Sequence, residues 1–119
     1  MNHIEFGKEG ERLAVNHLLS KNHSILNLNY RYRRGEIDII SESGAFIVAT
    51  EVKTRQSRKH GSPADAVSRS KQRQLVQIMD AYIMESNNDK EVRFDVVSII
   101  LNQYEASIEH IEGAFYPLV

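Results

Sequence analysis

The sequence predicts an α/β protein in which a mixed sheet is flanked by helices on both faces. Three observations carry that expectation. Apolar residues recur at helical spacing in two long stretches, 4–21 and 70–86. Between them stand three apolar-rich runs, 25–33, 36–41 and 45–54, with the alternation or density of strands. After the second helix comes a nearly continuous apolar run, 92–101, as expected of a central strand. The order is α-β-β-β-α-β, and helices before and after three strands cover the two sides of one sheet.

In the first helix, Ile4, Gly7, Ala14, Val15 and Leu18 all fall within about 40° of Glu11 on a helical projection. Glu11 therefore faces the core, where a carboxylate needs a basic partner or a polar site at the core's edge. The plainer alternative is a partly exposed residue at the helix edge. Residues 25–33 (Ile-Leu-Asn-Leu-Asn-Tyr-Arg-Tyr-Arg) alternate as a half-buried strand. The next two strands form a tight hairpin through Ser43-Gly44. Gln56 to Pro63 is polar and reads as a loop, with a short helical piece starting at Pro63 after Ser62. The second long helix places Leu75, Ile78, Met79, Tyr82 and Ile83 on one face and ends at Asn87-Asn88-Asp89. Residues 106–111 offer one more edge strand.

The chain has 119 residues, a length that suits one domain, 1–119, burying about two-thirds of its unfolded surface. It has no cysteine, which excludes thiolate zinc sites, disulfides and thiol catalysis. No apolar run approaches the roughly 20 residues of a membrane span. The first residues, Met1-Asn2-His3-Ile4-Glu5, lack the basic and apolar segments of a signal peptide. The expectation is a cytoplasmic protein with no membrane partner. Charge is uneven along the chain: residues 31 to 73 carry ten Lys/Arg against five Asp/Glu, while the remainder is acidic. A basic segment around a carboxylate cluster suits a site that binds and cuts a polyanion. A solvated basic surface is the alternative.

The carboxylates are Glu36 and Asp38 on one strand of the hairpin and Glu51 on the other, with Lys53 two residues further on. With a two-residue turn at Ser43-Gly44, Asp38 lies opposite Ala49 and Glu36 opposite Glu51. Asp38 and Glu51 are then diagonal neighbours about 7–8 Å apart at the backbone. Strand parity points all three acids and Lys53 the same way, and a slip of one residue would separate Asp38 from Glu51. Like charges across a strand pair are destabilising. A salt-bridged surface sheet, with Lys53 partly neutralising Glu51, is the plain reading. Yet these acids interrupt faces lined by Ile40, Ile47 and Ala49, which suits metal ligands at a core's edge. Hard oxygen ligands favour Mg2+ or Mn2+. A cation between Asp38, Glu51 and a phosphate oxygen would activate water, and Lys53 could hold that water or steady the phosphate. The Val52 carbonyl is a further candidate ligand, and Glu36 competes for a ligand or supporting role.

Candidate phosphate contacts are Arg31, Arg33, Arg34, Arg55, Arg58, Lys59, Lys71 and Arg73. Tyr30 and Tyr32, interleaved with arginines, could stack on bases or simply belong to an edge strand. Lys71 and Arg73 lie in the first turn of the second long helix, where the helix dipole disfavours cations. Lys71, four residues before Leu75, leans toward the sheet. His60 lies in the basic loop, where phosphate contact competes with a surface role. His3, His17, His23 and His110 are scattered without ligand spacing and read as surface residues.

The succession Gly7-x-x-Gly10-Glu11-x-x-Ala14, Asn29, Gly35-Glu36-Ile37-Asp38, Glu51-Val52-Lys53-Thr54-Arg55, Gly61, Lys71 and Arg93-Phe94-Asp95-Val96-Val97 resembles the YraN-like family. These are small bacterial proteins held to be endonucleases, similar to the PD-(D/E)xK nuclease superfamily and to archaeal Holliday-junction resolvases. The resemblance spans nearly the whole chain in order. It implies a restriction-endonuclease-like αβββαβ core, Asp38 and Glu51 as metal ligands, and Lys53 as catalytic lysine. Glu11 matches the first-helix glutamate that completes such sites. One departure is Thr50, where the family usually has an aliphatic residue, at a position facing away from the site. The implied activity is hydrolysis of phosphodiester bonds in DNA, branched or damaged, with a homodimer for symmetric cutting. A module that binds nucleic acid or a partner without turnover is the alternative, and nothing in the sequence separates DNA from RNA.

Overall fold

The computed structural model describes residues 1–61 and 67–116. Five strands, β1 (Ser24–Tyr32), β2 (Gly35–Ser43), β3 (Phe46–Arg55), β4 (Glu91–Leu101) and β5 (Ala106–Phe115), form one sheet in chain order. Every neighbour is antiparallel except β3 and β4, which run parallel. A parallel pair needs a long crossover, and helix α2 (Arg69–Ser86) lies in that connection. Helix α1 (His3–Ser20) precedes the sheet. This is the expected α/β architecture, compatible with a restriction-endonuclease-like fold, and its last strand runs past the expected 106–111. Among the described residues no helix is long and apolar enough to cross a membrane. One 3-10 turn, Arg58–His60, interrupts the polar loop. The expected helical piece from Pro63 falls outside the described residues, as does the side chain of His60.

The helix ends follow from local chemistry. Asn2 caps α1: its side chain accepts from the Glu5 N–H, and the Glu5 carboxylate reaches back to the Asn2 N–H, satisfying two otherwise orphaned donors. Ser68 caps α2 by accepting from the Lys71 N–H. Asn87 stops that helix in the left-handed conformation at φ 57°.

Two apolar cores form on opposite faces of the sheet. Leu75, Ile78, Met79 and Tyr82 of α2 pack on Ile37, Ile40, Ile47, Ala49 and Phe94. Ala14 and Leu18 of α1 pack on Ile39, Val97 and Ile99. The buried stripe of α1 is narrower than periodicity suggests: Gly10, Ala14 and Leu18 are buried, whereas Ile4 is 68% exposed. Gly10 marks the point of closest approach, since a Cβ there would overlap the Thr54 side chain on β3.

The hairpin register differs from expectation. The turn is Gly44-Ala45, so Ser43 pairs with Phe46, Ile40 with Ala49 and Ile39 with Thr50. Ala49 is therefore opposite Ile40 rather than Asp38, and Asp38 lies just beyond the last pair. Strict alternation along β2 also fails. Ile37 and Ile40 share the α2-side core although three residues apart, while Ile39 joins the α1-side core. Glu36, Asp38 and Ile40 thus do not share one regular face. On β1, the pairs Leu28–Ile39 and Tyr30–Ile37 flank Asn29, which is left-handed at φ 52°. Asn29 stands opposite Asp38, where the β2–β3 pairing ends.

The histidines are a second correction. His23 is buried, with Nδ1 2.8 Å from the Ser41 hydroxyl. His17 Nε2 lies 3.1 Å from His110 Nδ1, and His110 Nε2 lies 2.7 Å from Asp95. Residues distant in sequence converge here because α1, β4 and β5 meet on one side of the sheet, which no local spacing reveals.

Two stability predictions arise. The Thr50 hydroxyl is fully buried and has no hydrogen-bond partner. Thr50→Val should stabilise the fold by about 1–2 kcal/mol, read as a raised thermal midpoint. Gly10→Ala should destabilise by roughly 1–3 kcal/mol in chemical unfolding, and Thr54→Ala should recover part of that loss.

Candidate active site

The β2–β3 pairing stops at Ile39 and Thr50, and Asp38 fills the gap beyond it. Its Oδ2 accepts the Val52 N–H at 2.8 Å, taking a backbone donor that an unbroken ladder would give to β2. Glu51 is 8% exposed, and its Oε2 has no hydrogen-bond partner. The ammonium of Lys71, at the start of α2, stands 3.9 Å from that oxygen, an ion pair too long for a hydrogen bond. Burial first, and then the adjoining Asp38 carboxylate, push the Glu51 carboxyl up to about 8, against the opposing pull of Lys71 and Lys53.

Glu11 approaches the same place from α1. The Asn29 amide donates to its Oε1 at 2.8 Å. Burial raises its pKa, the Asn29 hydrogen bond opposes the rise, and the negative charges of Asp38 and Glu36 add to it. Glu36 pairs with Arg31 at 3.3 Å. Glu11, Asn29, Glu36, Asp38 and Lys53 all line one cleft of ≈ 1380 Å³ that runs out to the start of α1 and the β4–β5 turn. Glu51 is buried beside Asp38 and does not line that cleft.

The structure therefore brings together Glu11, Glu36, Asp38, Glu51 and Lys53, with Lys71 added from α2. Among the described residues no three Asp, Glu or His side chains stand close enough to cage a cation unaided. Asp38 and Glu51 supply hard oxygens, and one of them is a buried acceptor without a partner. That donor set fits Mg2+ or Mn2+, which keep several waters and need few carboxylates.

The basic candidates divide. Arg58 is tied to Glu105 by two hydrogen bonds and to Ser107 by a third. Arg31 and Lys71 face acids of the site itself. Arg33 stacks over Tyr32, and Arg34 lines a small pocket between β1 and α2. Tyr30 donates to Glu85 and packs edge-on to Tyr82, so it is bound into the α2 face. Lys59 and Arg73 are exposed, and Arg55 ends β3.

Sequence reasoning missed what Asn29 does. It tolerates the left-handed conformation and also holds Glu11; an asparagine amid strand alternation is the signal for the first role. The second is visible only in three dimensions.

A profile of the uncharacterised protein family UPF0102 matches residues 10–99, which include every residue of the carboxylate cluster and Lys53. The chain is 46% identical over 114 residues to the UPF0102 protein of Christiangramia forsetii, covering 96% of each. It is 47% identical over 116 residues to the UPF0102 protein of Thermodesulfovibrio yellowstonii, covering 98% of this chain and 100% of that one. With the UPF0102 protein of Clostridioides difficile the identity is 43% over 116 residues, covering 97% and 100%. The chain belongs to the UPF0102 family, the YraN-like group that its motifs resemble.

Proposed function

We propose that this protein is a divalent-metal-dependent nuclease that hydrolyses phosphodiester bonds of DNA, with branched or damaged DNA as its substrate. One observation carries the reading. Two parted strands bring Asp38 and Glu51 together beside Lys53 and leave a buried carboxylate oxygen without a hydrogen-bond partner. Buried polar groups are nearly always satisfied, so an orphaned carboxylate oxygen behind Asp38, which does line the cleft, is a mark of function.

In this reading Asp38 and Glu51 hold the cation, with the Val52 carbonyl within the same turn of chain. When bound, Mg2+ or Mn2+ supplies Lewis acidity to the phosphate and to the attacking water. Lys53 holds that water and offsets charge on the phosphate oxygens. Glu11, fixed by Asn29, orients water from the α1 side, and Glu36 supports it while neutralised by Arg31. Lys59 and Arg73 offer surface charge to the phosphate backbone. Symmetric cutting of a branched substrate would call for a homodimer. The second reading, a nucleic-acid-binding module without turnover, draws on the absence of a three-ligand cage among the described residues.

Linear duplex, single-stranded DNA, a four-way junction and structured RNA, each with Mg2+ or Mn2+, should separate these readings. Wild type should cut at least one substrate, and Asp38→Ala and Lys53→Ala should lose on the order of 10²–10⁴ in rate. Identical behaviour of all three on every substrate removes the nuclease reading, and binding without cutting favours the module.

The Glu51 carboxyl gives an independent check. Its folded value near 8 lies above the ordinary 4.5, so the folded state keeps a proton that the unfolded state releases. Its stabilising contribution is whole below about 4.5, shrinks as pH rises, and is lost by about 8. Glu51→Gln keeps a neutral side chain throughout. Its unfolding free energy should exceed that of wild type increasingly from pH 5 to 8, by roughly 2–4 kcal/mol at the upper end. Millimolar Mg2+ at pH 8 should raise the wild-type midpoint and leave Glu51→Gln unmoved. A stability difference constant across pH would contradict the assignment.

A further inference from the structure

Gly7 lies within an ordinary stretch of α1, where glycine costs about 1 kcal/mol relative to alanine. Neither backbone nor packing asks for it. The positive-φ glycines are Gly44, Gly61 and Gly113, and a Cβ at Gly7 would meet nothing within 4 Å. Gly10 is the contrast, since its Cβ would overlap Thr54. Packing therefore explains one glycine of this helix and not the other.

Position explains Gly7 instead. It is exposed and lines the cleft one helical turn before Glu11, with Ile4, 68% exposed, next along the same stripe. Ile4, Gly7 and Glu11 thus make a strip leading along α1 to the carboxylates. Lys8 borders it, and Gln56, Leu101 and Asn102 line the same outer half of the cleft. We infer that this outer half is a subsite for the nucleotide flanking the scissile phosphate, and that Gly7 keeps it open. The inference rests on the nuclease reading. A missing side chain leaves a flat peptide surface on which a planar base can lie. Ile4 and Leu101 offer apolar contact to the ring, Gln56 and Asn102 offer hydrogen bonds to its edge, and Lys8 offers charge to the adjoining phosphate. Any side chain at position 7 would project into that space.

Gly7→Ala and Gly7→Gln test this against wild type and Asp38→Ala. The probes are a fluorescein-labelled single-stranded oligodeoxynucleotide and a labelled four-way junction. Binding is measured with Ca2+ and cleavage with Mg2+. The thermal midpoint of Gly7→Ala should rise by about 2–5 °C, because alanine is the better helix former. Binding should nonetheless weaken about three- to tenfold, and more than tenfold in Gly7→Gln, with cleavage falling in step. A more stable protein that binds less well is an outcome that a structural role cannot produce. If both variants bind as wild type does, or if Gly7→Ala lowers the midpoint, the subsite is overturned while the nuclease reading stands. If wild type binds neither probe and cuts none of the four substrates, the nuclease reading falls and takes the subsite with it; if it cuts one yet binds neither probe, the subsite alone is overturned.

Discussion

The structure turns on one hydrogen bond, from the Val52 N–H to the Asp38 carboxylate at 2.8 Å. A strand N–H buried beside a neighbouring strand must find an acceptor. Supplying it from a side chain lets β2 and β3 part without leaving that donor orphaned. Parting the strands and installing the carboxylate are therefore one event. On the far side of β2, Asn29 opposite Asp38 takes up the left-handed conformation at φ 52°. Its side-chain amide donates to Glu11. Glu11 itself is within reach because Gly10 lets α1 press against Thr54. Four elements thus deliver their groups to one cleft through contacts that begin at the broken ladder.

Gathering carboxylates in one place is opposed by their own repulsion, and the surrounding cations answer it locally. Arg31 stands by Glu36, Lys71 by Glu51, and Lys53 adds its field to Glu51. The excess positive charge of residues 31 to 73 is in part a counter-charge to acids of the same segment. Arg58 is further withdrawn by Glu105. What a polyanion would meet is a weaker field than the raw count suggests.

Much of the architecture was legible in the sequence because it rests on periodicity. Both long helices, three consecutive strands and the apolar fourth strand all announce themselves by where leucine, isoleucine and valine recur. The five residues of the candidate site were legible too, since unpaired carboxylates in apolar strands are costly without a purpose. Their geometry was not. The turn sits at Gly44-Ala45, and alternation fails at Asp38 because a side chain, invisible to any pattern of polarity, takes over a backbone's hydrogen bond. The same limit hid the histidines. His17, His23 and His110 share no local spacing; only the packing of α1 against the sheet brings His17 to His110, while strand pairing sets His110 beside Asp95 and His23 beside Ser41.

A comparison of two buried carboxylates on the β3–β4 pair shows how the fold distinguishes support from chemistry. Asp95 pairs in register with Thr50, and Glu51 follows one residue on, toward the opposite face. Burial works to raise the Asp95 carboxyl, but His110, Nε and Nη2 of Arg93 and the Gly113 N–H outweigh it and hold it below the usual range. Gly113 is left-handed at φ 58°, beside a register shift in the β4–β5 pairing that lets its N–H reach Asp95. That carboxylate is finished, with nothing left to offer a ligand. Glu51 experiences the same burial with an unpartnered oxygen, a distant lysine and a second carboxylate alongside. A chain able to satisfy Asp95 so fully has the means to satisfy Glu51, for instance by moving Lys71 within hydrogen-bonding distance. Leaving it unsatisfied beside Asp38, behind the wall of the cleft, sacrifices stability for a site that can bind, which is the balance expected where function opposes folding.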